Sequence, residues 1–197
     1  MIHATADLAK NLSNATERLR RLLYAITPNF INEEDLSKFL SNIRKHPISH
    51  LILRNKNHSF IDMMYFRSFA LNSLQTNTRV IINPNDIPFK NIDESQYIHL
   101  NSKNLFKATA NTIWASASCH NIEEITAANK LKLEFILLSP VLDTNKYQFK
   151  LGWEKFSKLA KESKHPVVAL GGLEQNDLKI ALFNGASGIA GISMFET

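Results

Sequence analysis

A single cysteine, Cys119, is all the thiol chemistry available to this sequence. That excludes an internal disulfide and any multi-cysteine metal site, and it fits a reducing compartment. Long apolar runs are also missing. None reaches the roughly 18 residues that a membrane span needs, and the first twenty residues alternate polar and apolar groups without a signal-peptide core. The expected location is therefore the cytoplasm, with no membrane partner. Glycine and proline are scarce, six of each in 197 residues, and no Pro-, Gly- or Ser-rich linker divides the chain. The net charge of +5, from 23 basic and 18 acidic residues, is modest and scattered. In "EKFSKLAKESK" the lysines (Lys155, Lys158, Lys161, Lys164) recur at helical spacing while Trp153, Phe156, Leu159 and Ala160 keep another side apolar. This reads as an amphipathic helix with a solvated basic face. No basic cluster is interleaved with aromatics and no zinc-finger spacing occurs, so nucleic acid is not an expected partner. A phosphorylated small molecule suits the mild positive charge.

What is present is a chain 44% hydrophobic, enough to bury one sizeable core, so residues 1–197 are expected to form a single domain. Short aliphatic runs recur at Leu22 to Thr27, His50 to Lys56, Arg79 to Asn83, Tyr97 to Leu100, Ile113 to Ser118, Phe135 to Val141, Pro166 to Leu170 and Gly188 to Ser193. They are nearly continuous, as parallel strands covered on both faces require. Helical patterns lie between most of them: "NEEDLSKFLSNIRKH", "SFIDMMYFRSFALNSL", "NIEEITAANKLK", "LGWEKFSKLAKES" and "LEQNDLKIALFNG", the last ending at Gly185 as a helix C-cap. The expected fold is a compact α/β (β/α)8 TIM barrel, shorter than the usual length of about 250 residues. Residues 1–20 read as an extra N-terminal helix closing the barrel's bottom. A doubly wound open sheet is the alternative.

Half of the glycines fall in two late loops, Gly171-Gly172 and Gly191-Ile192-Ser193. In barrel enzymes the loops after the seventh and eighth strands commonly hold a phosphate. Glycine lets the backbone approach an anion, and helix-start N–H groups supply donors without a charged side chain. These residues are expected to form a phosphate clamp, with tight turns as the plainer explanation. Gly172→Val is expected to weaken phosphate binding and leave the fold intact. Polar residues at the other strand ends converge on the same mouth if the barrel is right: Arg54 and Lys56, Asn83, His99, Ser118 and His120, Thr144 and Lys146. Together they make a cationic, hydroxyl-rich pocket suited to a phosphate or diphosphate.

The segments "LYAITP", "LILRNK", "VIIN", "YIHL", "SASCHNIEE", "LLSPVLDTNK" and "ALGGLEQNDL" with "GASGIAGI" resemble the thiamine phosphate synthases and the related thiazole tautomerases. The last third is most similar to the branch fused behind Nudix hydrolase domains, although no Nudix signature occurs in this chain. The resemblance implies a transferase of thiamine biosynthesis that joins an aminopyrimidine-methyl diphosphate to a thiazole phosphate. Diphosphate leaves first and the thiazole nitrogen captures a pyrimidine carbocation, a step that needs cations around the leaving group more than a base. On this resemblance Arg54, Lys56, Asn83, Ser118, Thr144 and Lys146 are the diphosphate side. Gly171, Gly172, Gly191, Ile192 and Ser193 hold the thiazole phosphate, and His120, Lys146 and Arg54 are the expected catalytic set. The implied partners are phosphorylated small molecules and, through that branch, a Nudix hydrolase, with a homo-oligomer left open.

The sequence departs from the synthase pattern where the resemblance places Mg²⁺. Its two carboxylate positions hold Pro84 and Asn104, and only Asp86 lies nearby. Mg²⁺ prefers carboxylate oxygens, so the metal site is expected to be weak or absent. The glutamine before the second-strand arginine is replaced by Ile52, and the loop "DTNK" is one residue shorter than the synthase pattern. A second hypothesis is a metal-independent tautomerase-like reaction in which His120 moves a proton; a histidine that merely caps the following helix is its plainer explanation. A third is a phosphate-ligand-binding accessory domain that has lost synthase activity. Cys119 reads as a packed thiol.

Overall fold

Runs such as Leu51–Leu53 are apolar at successive positions because both strand faces are covered, one by the barrel interior and one by helices. The computed structural model describes residues 22–74, 77–89, 97–143 and 150–195. The extra helix expected over residues 1–20 lies outside the described residues, as do Thr144 and Lys146. Eight parallel strands run in chain order: β1 Leu23–Ile26, β2 His50–Arg54, β3 Arg79–Asn83, β4 His99–Leu100, β5 Ile113–Cys119, β6 Lys132–Leu138, β7 Val167–Leu170 and β8 Gly188–Gly191. Neighbours follow the order β3-β2-β1-β8-β7-β6-β5-β4. The two ends approach through one parallel bridge, Ile82 to Ile98, so the barrel is nearly closed. Pairing of β1 with both β2 and β8 excludes the doubly wound alternative.

Six helices are described: α1 Glu33–Ile43, α2 Phe60–Ser73, α3 Ser102–Leu105, α4 Ile122–Ala128, α5 Gly152–Ala160 and α6 Leu178–Phe183. The first four begin on a short polar side chain that accepts a backbone N–H three residues on: Asn32, Ser59, Asn101 and Asn121. Such caps satisfy donors that a helix start leaves unpaired. The segment "NIEEITAANKLK" is helical only to Ala128, and Lys132 already belongs to β6. That strand can start with Lys132 and Glu134 because the first is exposed and the second only half-buried. The basic stretch is helical only to Ala160, with Lys161 at its cap and Lys164 beyond it, and the helix is anchored by a fully buried Phe156. No helix among the described residues is long and apolar enough to cross a membrane.

The core has two parts. Leu36, Leu40, Met63, Trp114 and Phe156 pack between strands and helices, while Ile26, Ile52, Ile81, Phe135, Leu137 and Val168 fill the barrel interior. At the N-terminal ends of the strands, Tyr24 stacks on His50 at 4.6 Å and Phe135 meets both rings edge-on. Arg79 pairs with Glu134 at 2.7 Å near that same end. The interior is thus plugged below and left open at the C-terminal ends of the strands.

Candidate active site

Arg54 reaches the mouth of the barrel because its backbone is pinned to the end of β1. Thr27 is fully buried, and its Oγ1 accepts from the Arg54 N–H at 2.8 Å and donates to the Arg54 carbonyl at 3.1 Å. A hydroxyl with both roles used holds the strand end in one register. Every strand then contributes to one cavity of about 480 Å³: Ile26, Ile52 with Arg54, Asn83, His99, Ser118, Leu137, Leu170, and Ala190 with Gly191. This size suits a small-molecule ligand. Its deep wall is aliphatic, and its polar groups sit toward the strand ends.

The two glycine loops line the same cavity through Gly171, Gly172, Gly191, Ile192 and Ser193. Gly171 and Gly172 have φ of +106° and +67°, the left-handed region. A Cβ at Gly172 would lie 2.4 Å from the Asp143 carbonyl oxygen, and one at Gly171 would lie 2.8 Å from Pro140. The loop after β6 comes this close because Val141 and Leu142 donate to the carbonyls of Leu170 and Gly171, both at 3.0 Å. Local packing alone therefore requires these glycines, and Gly172→Val would disturb the loop rather than leave the fold intact. Gly191 differs: its added Cβ would meet only the flexible Met194 side chain. Gln175 ties the two loops together, its Nε2 lying 3.1 Å from both the Met194 carbonyl and His46 Nδ1.

His120 also lines the cavity. The cap of α4 is Asn121, not His120, which corrects the plainer reading of that histidine. Glu124 Oε2 accepts from the His120 backbone N–H at 2.6 Å and stands 2.9 Å from His120 Nδ1, with Ser102 Oγ 3.1 Å from the same nitrogen. Burial pushes the Glu124 carboxyl up, but the His120 and Ser102 hydrogen bonds and the His120 charge outweigh it and hold the group below its ordinary range. An ionised Glu124 is placed to accept a hydrogen bond from Nδ1–H, and in that tautomer Nε2 is the acceptor nitrogen. Cys119 faces away from this chemistry: it is buried, and burial first, then Glu124, pushes its thiol up to about 12. A thiol held protonated is inert.

Of the residues expected at the site, Lys56 is exposed and outside the cavity lining, and Asp86 is exposed on the turn after β3. Sequence reasoning passed over Asp143, Ser139 and Leu173, which line the cavity. It also passed over Thr27, Ser102 and Glu124, which support lining residues. Only the Glu124 pairing carried a readable signal, the four-residue spacing from His120 across a helix start.

Among the described residues, those at the two metal positions do not fit Mg²⁺. Pro84 is buried and offers no side-chain oxygen. Asn104 is buried as well, with its amide nitrogen donating to the Asn85 carbonyl at 3.1 Å. No group of three or more His, Cys, Asp or Glu residues among the described ones is placed to hold a metal ion. Among the described residues, a hard cation that prefers carboxylate oxygens finds none at either of these positions.

A family model described as thiamine monophosphate synthase matches residues 23–195. An Aquifex aeolicus protein with the provisional name thiamine-phosphate synthase 2 is 38% identical over 80 residues, 40% of this chain and 43% of that protein. The thiamine-phosphate synthase of Limosilactobacillus fermentum is 28% identical over 105 residues, 49% of each chain. The matched segments thus span just under half the length of these curated relatives. The thiamine phosphate pyrophosphorylase structure from Pyrococcus furiosus superposes with a TM-score of 0.67 at 20% identity, covering 89% of this chain and 87% of that one. At that identity the likeness speaks for the fold.

Proposed function

The chain belongs to the thiamine monophosphate synthase family, and from that premise we propose that it joins an aminopyrimidine-methyl diphosphate to a thiazole phosphate, as a transferase of thiamine biosynthesis in the cytoplasm. The observation that carries this reading is one cavity lined both by a cation and a hydroxyl, Arg54 and Ser118, and by the two glycine loops. In the proposed reaction the bond from the pyrimidine methylene to the diphosphate oxygen breaks, and its electron pair leaves on diphosphate. The lone pair of the thiazole nitrogen then forms the new carbon–nitrogen bond. Arg54 meets the charge that develops on the leaving group, and the Ser118 hydroxyl donates to it. Asn83 lines the same side of the cavity, and the resemblance assigns Thr144 and Lys146 to it as well. The backbone at Gly171, Gly172, Gly191, Ile192 and Ser193 holds the thiazole phosphate. The aliphatic wall of Ile26, Ile52 and Leu137 excludes water from the carbocation.

The His120–Glu124 pairing, beside metal positions occupied by Pro84 and Asn104, favours one second reading: proton transfer on a thiazole phosphate with Nε2 of His120 as base. The two readings separate on Arg54. Arg54→Ala removes a charge-assisted bond worth roughly 1.5–3 kcal/mol, so coupling of the two substrates should fall at least about tenfold. A rate that Arg54→Ala leaves unchanged, with His120→Ala abolishing conversion of the thiazole phosphate alone, would replace the first reading with the second.

A further inference from the structure

The proposed reaction gives no task to His99, although it lines the cavity. Its ring is clamped between two hydroxyls of β5: Nδ1 lies 2.7 Å from Ser116 Oγ, and Nε2 lies 2.7 Å from Ser118 Oγ. His99 and Ser116 are fully buried, whereas Ser118 is half-buried and lines the cavity. Burial, with the Arg54 charge adding to it, pushes the imidazole down to about 3. The ring is therefore neutral and carries one proton.

The surroundings decide where that proton sits. Among the described residues, Ser116 Oγ has His99 as its sole hydrogen-bond partner. A buried O–H left with nothing to donate to bears the full cost of its desolvation, so Ser116 must donate to Nδ1. Nδ1 is then the acceptor, and the ring proton lies on Nε2, which donates to Ser118 Oγ. With its oxygen already accepting from His99, Ser118 keeps its own O–H for the cavity. The opposite tautomer would strand the Ser116 hydrogen and turn the Ser118 hydrogen back onto the ring.

We propose that His99 is a positioning residue that makes Ser118 a hydrogen-bond donor into the cavity, committing that part of the wall to an anionic oxygen of the ligand. The anionic partner rests on the diphosphate reading above; the tautomer does not. The O–H so directed favours a ligand acceptor over a ligand donor at this point, so His99 also acts on specificity through a residue it touches.

The test begins with the wild-type chain carrying heavy-nitrogen-labelled histidine, read by nuclear magnetic resonance. His99 should be neutral with its proton on Nε2, with and without saturating inorganic pyrophosphate. Calorimetry with pyrophosphate then provides the functional arm. Ser118→Ala should weaken binding about tenfold, His99→Phe should weaken it too, and the double variant should be little worse than Ser118→Ala, because the two act through one bond. A merely structural histidine would give additive losses. A proton on Nδ1, a doubly protonated ring or additive losses would overturn the proposal. A wild-type chain that binds no pyrophosphate, with the ring proton nevertheless on Nε2, would instead overturn the diphosphate reading and with it the anionic partner given to Ser118.

Discussion

Glu124 holds His120 twice, with one carboxylate oxygen 2.6 Å from its backbone nitrogen and 2.9 Å from its Nδ1. The carboxyl is depressed in the fold, so the stabilisation is present above its unfolded value of 4.5 and is lost as pH falls through the lower, folded value. Glu124→Gln should therefore cost about 1–3 kcal/mol near neutrality. The gap between variant and wild type should close in strong acid. Denaturant melts at several pH values check this; a gap that stays constant down to acid pH would detach the carboxylate charge from the effect.

Thr27 fixes the backbone of Arg54 through two hydrogen bonds made by one buried hydroxyl. Thr27→Val keeps the shape and leaves the Arg54 N–H and carbonyl without that partner, at a cost of about 1–3 kcal/mol. Turnover should fall as well, because the guanidinium loses its fixed base. Wild-type stability by thermal melting would contradict this.

The glycine loops were readable as a feature, and the close packing around Gly171 and Gly172 adds a requirement that the sequence does not display. Gly172→Ala places a Cβ against the Asp143 carbonyl from a left-handed backbone, whereas Gly191→Ala meets only the Met194 side chain. The first should lose at least about 1–3 kcal/mol and the second much less. Thermal melts of the pair decide it, and equal melting points would contradict the packing described for Gly172.

Two histidines make the fold sensitive to acid. Burial first, with Arg79 adding to it, pushes His50 down to about 4, and burial with Arg54 pushes His99 down to about 3, both from an unfolded value of 6.5. The folded chain keeps both neutral, so stability is full above the unfolded value and falls as pH drops below it while the unfolded chain takes up protons. The loss is at most about 1.4 kcal/mol per pH unit for each group. His50→Gln should flatten the decline of melting temperature below about pH 6.5; an unchanged slope would contradict a neutral His50.

Much of the barrel was legible because two-sided burial writes strands as aliphatic runs, and Leu51–Leu53 and Ile136–Leu138 are such runs. The start of β6 was not, since Lys132 and Glu134 are polar and the stretch continues a helical pattern. The strand β4 has two residues, and the barrel closes beside it by a single bridge, which no local pattern announces. The candidate site divides in the same way. Arg54, Ser118 and the glycines could be placed by counting strand ends, but their supports come from neighbouring strands. Thr27 and Arg54 are 27 residues apart, and His99 and Ser118 are 19 apart. Only strand register brings such pairs together, and a single sequence does not display it.

The most direct test is to incubate the purified chain with aminopyrimidine-methyl diphosphate and thiazole phosphate, with Mg²⁺ and with a chelator, and identify products by mass spectrometry. Thiamine phosphate, formed at least about tenfold more slowly by Arg54→Ala, is the expected result. A folded wild-type chain that binds thiazole phosphate and forms no thiamine phosphate under either condition would contradict it.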